Sequence, residues 1–435
     1  MQFLRQNVWK RIKERFSQKD QGDAIVIARN HHQVSRKLIS ENALKVLYRL
    51  NKAGFSAYLV GGSVRDLLLK RKPKDFDIAT DAHPEQVRKI FRNSRIIGRR
   101  FRLVHVYYQG EVIEVSTFRA NSEELTRESS DELPVMVASD NTYGTIEEDA
   151  WRRDFTVNAL YYNIKNFSVM DYAGGMLDLH HKLIRMIGDP VQRFHEDPVR
   201  LLRAIRLSAK LGFKIEPNTE APVFKLPNLL WHVAPARLFD EILKLFFEGN
   251  AMVTYTSLLH YGYMRILFPV TYEAIKERRI KSDMQFIRLA MEATDIRFAE
   301  EKSLNPGFLM AVLLWPAVQV RIAASKAHRK KAYQVLLDTV DEVLALQLKT
   351  VSIPKRLTAM MRSVWLLQAH LLQRRGKRVF RTLSHRYFRA AFDFLELRVK
   401  AGEDYQDIYL WWKEFQDVNH DVRAKMVISL QREQK

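Results

Sequence analysis

The chain has 435 residues, with 71 Lys and Arg against 50 Asp and Glu, a net charge of +21. An apolar fraction of 47% excludes a globally disordered chain, and the length allows roughly two or three domains with cores of their own. The charge surplus predicts a polyanionic partner, nucleic acid ahead of an anionic membrane, while the absence of cysteine excludes disulfides, thiolate zinc sites and thiol nucleophiles and fits a reducing compartment.

The N-terminal "MQFLRQNVWKRIKERF" lacks the apolar core of a signal peptide. Its Phe3, Val8, Trp9, Ile12 and Phe16 fall on one helical face with Arg and Lys opposite. The expectation is a basic helix docked on its own protein, and the one segment suited to touching a membrane. No apolar run reaches the roughly 18 residues of a membrane span. From Ile39 to Leu50 an amphipathic helix is predicted with Ser40 as N-cap. "SAYLV" follows as a strand ended by Gly61 and Gly62, "SVRDLLLK" as a helix, "KDFDIAT" as a strand, and "HPEQVRKIF" as a helix with Pro84 in its first turn. "RLVHVYY" and "EVIEVSTF" read as two strands turned at Gln109 and Gly110.

Residues 121–149 hold nine acidic residues and one basic, Arg127, and predict a mobile, solvated surface loop. Strand character resumes in "WRRDFTVNALYYN" and fades after Asp171; beyond Asp197 the pattern is helical. The predicted fold class is α+β: an α/β catalytic head followed by a mainly helical neck, body and C-terminal region. The expected divisions are a basic arm over 1–38, the head over 39–171, and helical regions over 172–250 and 251–435, which the resemblance given below implies to be a neck and an RNA-binding body.

Two aspartates, Asp75 and Asp77, flank Phe76, so on a strand both carboxylates face one way. Like charges that close call for a cation, and Mg²⁺ is bound by one or two carboxylates plus substrate phosphates. Gly61 and Gly62 allow close backbone approach, the helix starting at Ser63 offers free N–H groups to an anion, and Arg65 adds a fork of donors. Phosphates with a metal are the apparatus of phosphoryl or nucleotidyl transfer. Glu114, mid-strand between Ile113 and Val115, and Asp154 of "RRDFT" are both candidates for a third carboxylate, and alternation does not choose between them. In "EDPVRLLRAIR", Arg200, Arg203 and Arg206 share one side of a helix and suit a triphosphate or a base edge. Arg374, Arg375, Lys377, Arg378, Arg381, Arg386 and Arg389 form a basic run suited to single-stranded RNA, interleaved with Phe380, Tyr387 and Phe388. Phe380 and Phe388 are expected in the core. The adjacent histidine pairs, His105 and His195 carry no metal or catalytic spacing.

"LVGGSVRDLLL…KPKDFDIAT", "RRDFTVNAL" and "RFHEDPVRLLRAIRLSAKLGF", in this order, resemble the head and neck motifs of class II nucleotidyltransferases, the group of bacterial poly(A) polymerases and tRNA CCA-adding enzymes. "IIGRRFRLVHV", "SENALKVLYRLNKAGF" and "IPKRLTAMMRSVWLLQ" resemble the poly(A) polymerase branch, and the resemblance runs from about Ile39 to Gln416. It implies template-independent addition of AMP from ATP to RNA 3′ ends with release of pyrophosphate, in mRNA processing and decay. Asp75 and Asp77 would bind catalytic Mg²⁺, with Mn²⁺ as the alternative, and Glu114 would support them. Gly61, Gly62, Ser63 and Arg65 would hold the triphosphate. Arg153, Asp154 and Asn158 would line the ribose and triphosphate site, with Asp154 counted as catalytic. Asp197 and Arg200 would read the base edge, and Arg203 and Arg206 would meet phosphates.

The implied partners are RNA 3′ ends and ATP, with RNA chaperone or RNA-decay proteins and no DNA. The implied state is a cytoplasmic monomer. In one departure, branch members carry a long Arg-rich tail whereas this sequence ends at "SLQREQK", which implies weaker RNA affinity unless the basic run substitutes. The competing readings are a CCA-adding tRNA nucleotidyltransferase, which uses CTP and stops at the triplet, and a non-catalytic RNA-binding protein, against which the intact DFD, RRD and EDPVR residues argue.

Overall fold

The computed structural model describes residues 24–98, 102–120, 142–278, 281–325 and 332–433. The expected basic N-terminal helix and residues 121–141 of the expected acidic loop lie outside the described residues. Two compact units divide the chain: one runs through Glu196 and adds Gly212–Pro222, the other holds Asp197–Leu211 and Val223 onward.

The first unit is built on an eight-stranded sheet. Its strands are β1 (Ile25–Ile27), β2 (Ala57–Val60), β3 (Asp77–Thr80), β4 (Ser94–Ile97), β5 (Leu103–Tyr108), β6 (Glu111–Thr117), β7 (Leu160–Asn163) and β8 (Val169–Asp171). Their spatial order is β1-β8-β7-β2-β3-β6-β5-β4, and only β3 and β6 run parallel. A parallel neighbour needs a long crossover, here the helix Pro84–Ile90 followed by β4 and β5. A separate short parallel pair joins β9 (Leu183–Ile184) to β10 (Lys214–Ile215). The predicted α+β class holds, and the sheet gains two short edge strands, β1 and β4, that alternation did not reveal.

Local chemistry explains the helices on this sheet. The Ser40 hydroxyl accepts from the Ala43 N–H at 3.0 Å and starts the helix Glu41–Lys52, which buries Ala43, Val46, Leu47 and Leu50. The acidic loop ends earlier than the sequence suggests. Thr145 and Glu148 form a reciprocal cap, Glu148 N–H to the Thr145 hydroxyl at 3.2 Å and Thr145 N–H to the Glu148 carboxylate at 2.6 Å. The helix Ile146–Trp151 follows, and Ile146 and Ala150 pack with Val60, Ala79, Phe118 and Tyr161. Residues 145–149 are therefore a capped helix start on the core, because satisfied backbone groups and buried apolar side chains outweigh the local negative charge.

The second unit is helical. At its centre the helix Pro306–Ala324 packs against Pro269–Arg278, Lys281–Ala299, Ala332–Leu348 and Lys355–Leu372. This corrects the sequence expectation on apolar runs: by length and composition this helix could cross a membrane, yet most of it is buried among its neighbours. Further along, Leu367, Leu371, Phe388, Phe392, Trp412 and Phe415 form an apolar cluster, with the Trp412 indole N–H donating to the Leu371 carbonyl at 2.8 Å.

Candidate active site

Strand register, rather than sequence proximity, assembles the carboxylates of the first unit. Asp77 opens β3 opposite Val60 at the end of β2 and opposite Glu114 in β6. Val60 in turn faces Tyr161 in β7, and Glu114 faces His105 in β5. Register partners share a face, so Tyr161, Val60, Asp77, Glu114 and His105 form one row across the sheet. Asp75 lies just before β3, exposed Asp75 and Asp77 flank buried Phe76, and the charge of Asp75 is felt at Asp77. Glu114 also meets His105, Oε2 to Nε2, at 3.6 Å.

Asp77 retains solvent contact, yet the surrounding protein poorly supports its charge. Burial, then the negative charges of Glu114 and Asp75, push its pKa up to about 6 against the opposing pull of Arg153. That imbalance favours a bound cation, and a donor set of carboxylate oxygens suits a hard divalent ion. Among the described residues no three His, Asp or Glu side chains converge as a complete cage. The arrangement fits Mg²⁺ held by one or two carboxylates, with substrate phosphates supplying further oxygens.

Gly61 sits where β2 ends, with φ +74° and ψ −135°, a conformation that essentially only glycine adopts without strain. A Cβ there would lie 3.5 Å from Arg153 Nη1, ordinary contact, so the obstacle to a side chain is the backbone. Gly61→Ala is expected to lower stability by about 1–3 kcal/mol, checked by thermal melting. Gly62 begins the helix Gly62–Leu68, and Ser63 donates its hydroxyl to the Val60 carbonyl at 3.0 Å.

Arg65 differs from the exposed phosphate fork that the sequence suggests. It is 5% exposed, with Nε on Asp66 Oδ1 at 2.8 Å and Nη1 on Asn158 Oδ1 at 2.6 Å. Asn158 Nδ2 then donates to Asp154 Oδ1 at 3.3 Å, and Asp154 also accepts the Phe155 N–H at 2.8 Å. Buried donors and acceptors satisfy one another, so these four side chains form a scaffold under the glycine turn.

Arg153 is a cation whose charge reaches Asp77 in the carboxylate row. Its Nη2 and Nε reach Asp149 Oδ2 at 2.9 and 3.2 Å, and Nε also donates to the Tyr161 hydroxyl at 3.0 Å. The same hydroxyl donates to Asp149 Oδ2 at 2.7 Å. Burial works against ionisation of Asp149, but Arg153, the Tyr161 hydroxyl and Arg152 outweigh it and hold the carboxyl below its ordinary value. Arg193 adds a brace, its Nη2 donating to the Arg152 and Arg153 carbonyls at 2.6 and 2.8 Å. Sequence reasoning missed Asp66, Asp149, Tyr161 and Arg193. For Asp149 a signal existed, the Thr-x-x-Glu cap at Thr145 and Glu148 that announces a helix.

Asp197, Arg200, Arg203 and Arg206 belong to the second unit. The helix Val199–Leu211 carries the three arginines. Asp197 accepts the Val199 N–H at 3.2 Å and Arg237 Nη2 at 2.7 Å. Arg206 pairs with Glu248 at 2.9 Å, a carboxylate that Lys210 also reaches at 3.3 Å. In the basic run, Arg389 pairs with Asp393, while Lys377, Arg378, Arg381 and Arg386 are exposed and have no acidic partner among the described residues. Arg374 and Arg375 lie between the helices Lys355–Leu372 and Arg378–Leu383. Phe388 is 6% exposed in the apolar cluster, and Phe380 and Tyr387 pack against it.

Family models match three stretches: the "Poly A polymerase head domain" over 57–185, the "Probable RNA and SrmB- binding site of polymerase A" over 212–275, and the "Polymerase A arginine-rich C-terminus" over 328–435. The last includes the basic run, so the arginine-rich region thought missing from the sequence has a counterpart here. Poly(A) polymerase I of Salmonella typhi is 47% identical over 397 residues, 90% of this chain and 85% of the relative. Poly(A) polymerase I of Haemophilus influenzae is 42% identical over 418 residues, 94% and 92% respectively. A solved tRNA-processing enzyme (apo form 2) shares the fold, with a TM-score of 0.58 at 22% identity over 88% of this chain and 98% of that one. Identity at this level across nearly the whole length settles the family: the chain belongs to the poly(A) polymerase I enzymes, which are nucleotidyltransferases, and its carboxylate row lies within the stretch that matches the head domain.

Proposed function

We propose that this chain adds AMP from ATP to RNA 3′ ends at the row formed by Asp75, Asp77 and Glu114. The observation that carries the reading is the register pairing of Asp77 with Glu114 and with the strand end that leads into Gly61. The RNA 3′-oxygen bonds to the α-phosphorus, the bond from that phosphorus to the β-phosphate bridge breaks, pyrophosphate leaves, and the hydroxyl proton passes to solvent. Asp75 and Asp77, supported by Glu114, would hold Mg²⁺ or Mn²⁺, which when bound supplies positive charge that lowers the pKa of the 3′-hydroxyl and stabilises the leaving pyrophosphate.

The chain's own groups do the rest. The Gly61-Gly62-Ser63 backbone admits the triphosphate, and Arg153, anchored by Asp149 and Tyr161, neutralises developing charge on it. Arg65 and Asn158 position the turn and Asp154 rather than meeting phosphate directly. Asp197 and Arg200 take part in base selection; beside Asp197, Arg237 completes the acceptor and donor set that a base edge requires. Arg203 and Arg206 serve the phosphates, and the basic run holds RNA. The four regions 1–38, 39–171, 172–250 and 251–435, a cytoplasmic location and a role in mRNA processing and decay belong to the same proposal.

The chemistry is tested with α-labelled ATP and two RNA oligomers, one ending in a 3′-hydroxyl and one in a 3′-deoxy nucleotide. Label is expected in the first alone, with one pyrophosphate released per nucleotide added. Equal labelling of both, or label on the protein that chases into RNA, would contradict direct attack by the 3′-oxygen.

A further inference from the structure

The basic run borders two adjoining cavities in the second unit. The smaller, about 280 Å³, lies just below the ~300–1,000 Å³ range of small-ligand pockets, room for one flat ring system. The larger, about 720 Å³, is lined by Arg374, Arg375, Lys377, Arg378 and Arg381. Gln373, Arg378 and Arg381 line both, so the two chambers share a boundary. The chambers differ in chemistry. The smaller is walled by Leu367, Thr382 and the rings of His370 and His385, the larger by cations.

The two imidazoles do not act as further charges. Burial first, then neighbouring His385 and Arg378 for His370 and Arg386 for His385, hold both below the ordinary histidine value. Near neutral pH they present uncharged aromatic faces and one donor and one acceptor each. His370 is already stacked on Tyr333, rings 5.4 Å apart and 12° from parallel, which fixes its plane. The His385 Nδ1 accepts the Tyr387 N–H at 3.2 Å, which fixes that ring as well. Of the aromatics that the sequence offered for stacking, Phe388 is buried, and the partly exposed Phe380 and Tyr387 each spend one side on the apolar cluster and line neither cavity.

We propose that the paired chambers bind one nucleotide of single-stranded RNA, its base between His370 and His385 in the smaller chamber and its flanking phosphates against Arg378, Arg381 and Lys377 in the larger. This rests on the RNA-binding reading above and gives it a stacking site supplied by histidines. A duplex, whose bases are already stacked on one another, has none to insert.

The test measures fluorescence anisotropy of the full chain with labelled oligo(A) and with an abasic phosphodiester chain of equal length, at fixed salt. His385→Ala is expected to weaken oligo(A) binding about tenfold while leaving the abasic chain within about twofold. Arg381→Gln is expected to weaken both, and His385→Phe to restore most of the oligo(A) affinity. Thermal melting confirms that each variant is folded. If His385→Ala weakens neither ligand, or both equally in a folded protein, the base site is overturned while the basic run still stands. If AMP alone binds in a manner sensitive to His385→Ala and oligo(A) is indifferent to it, the pocket serves a free nucleotide and the RNA assignment falls. If the parent chain binds neither RNA nor the abasic chain, the RNA reading itself fails.

Discussion

Replacing Asp77 with alanine is expected to lower the single-turnover rate of AMP transfer by about 10³-fold or more, the scale of several kcal/mol of metal-borne charge stabilisation. The same substitution should raise stability when divalent ions are removed. The native carboxyl, open to solvent on one side but crowded by protein on the other, is pushed up to about 6 by this partial burial and by Glu114 and Asp75, and binds its proton more tightly folded than unfolded. A raised carboxyl pKa makes the folded state less stable as pH climbs through that value. The penalty is absent at about pH 3 and complete above about pH 7. Asp77→Ala should therefore melt higher than the parent near pH 8 and about level with it in acid. A residue whose loss destroys activity while relieving the fold is held for function. Equal loss of stability and rate would instead make Asp77 structural.

Asp149→Ala should act in the opposite way, through stability. Asp149 is 4% exposed and accepts from Arg153 and Tyr161 at once. Arg153 keeps some solvent contact, so removing its carboxylate partner costs about 1–3 kcal/mol, the scale of leaving a charge-assisted hydrogen bond unmade. Urea unfolding should show that loss, and in protein kept folded at low temperature KM for ATP should rise because Arg153 loses the carboxylate that aims it. A double variant, Asp149→Ala with Arg153→Met, should recover part of the stability and none of the ATP affinity, since the uncompensated charge disappears together with the phosphate partner. Full additivity of the two single losses would show that the pair is uncoupled.

Much of this was legible in the sequence where the signal is local. Ser40 caps its helix, Pro84 opens another, Gly61 adopts the backbone that only glycine tolerates, and the buried Phe76 between two exposed aspartates follows strand alternation. Glu114 could be singled out as a mid-strand charge, but its pairing with Asp77 depends on the one parallel crossover in the sheet, which alternation does not encode. The Arg65–Asn158 hydrogen bond spans 93 positions, a distance over which no periodicity speaks. Asp149 was misjudged because a dense acidic stretch resembles a solvated loop until its last turn is seen capped and packed. Strands of three or four residues, such as β1 and β4, hold too few positions for alternation to stand out. In the helix Pro306–Ala324, Pro316 and Gln319 interrupt the apolar run on paper, while the folded helix continues through both.

The most direct measurement supplies the purified chain with Mg²⁺, an unstructured RNA, and each of the four nucleoside triphosphates in turn, beside a tRNA lacking its CCA end. The account predicts long ladders with ATP alone and none with the other three. Addition that requires CTP and halts once the CCA end of the tRNA is complete would contradict it and place the activity in the CCA-adding branch.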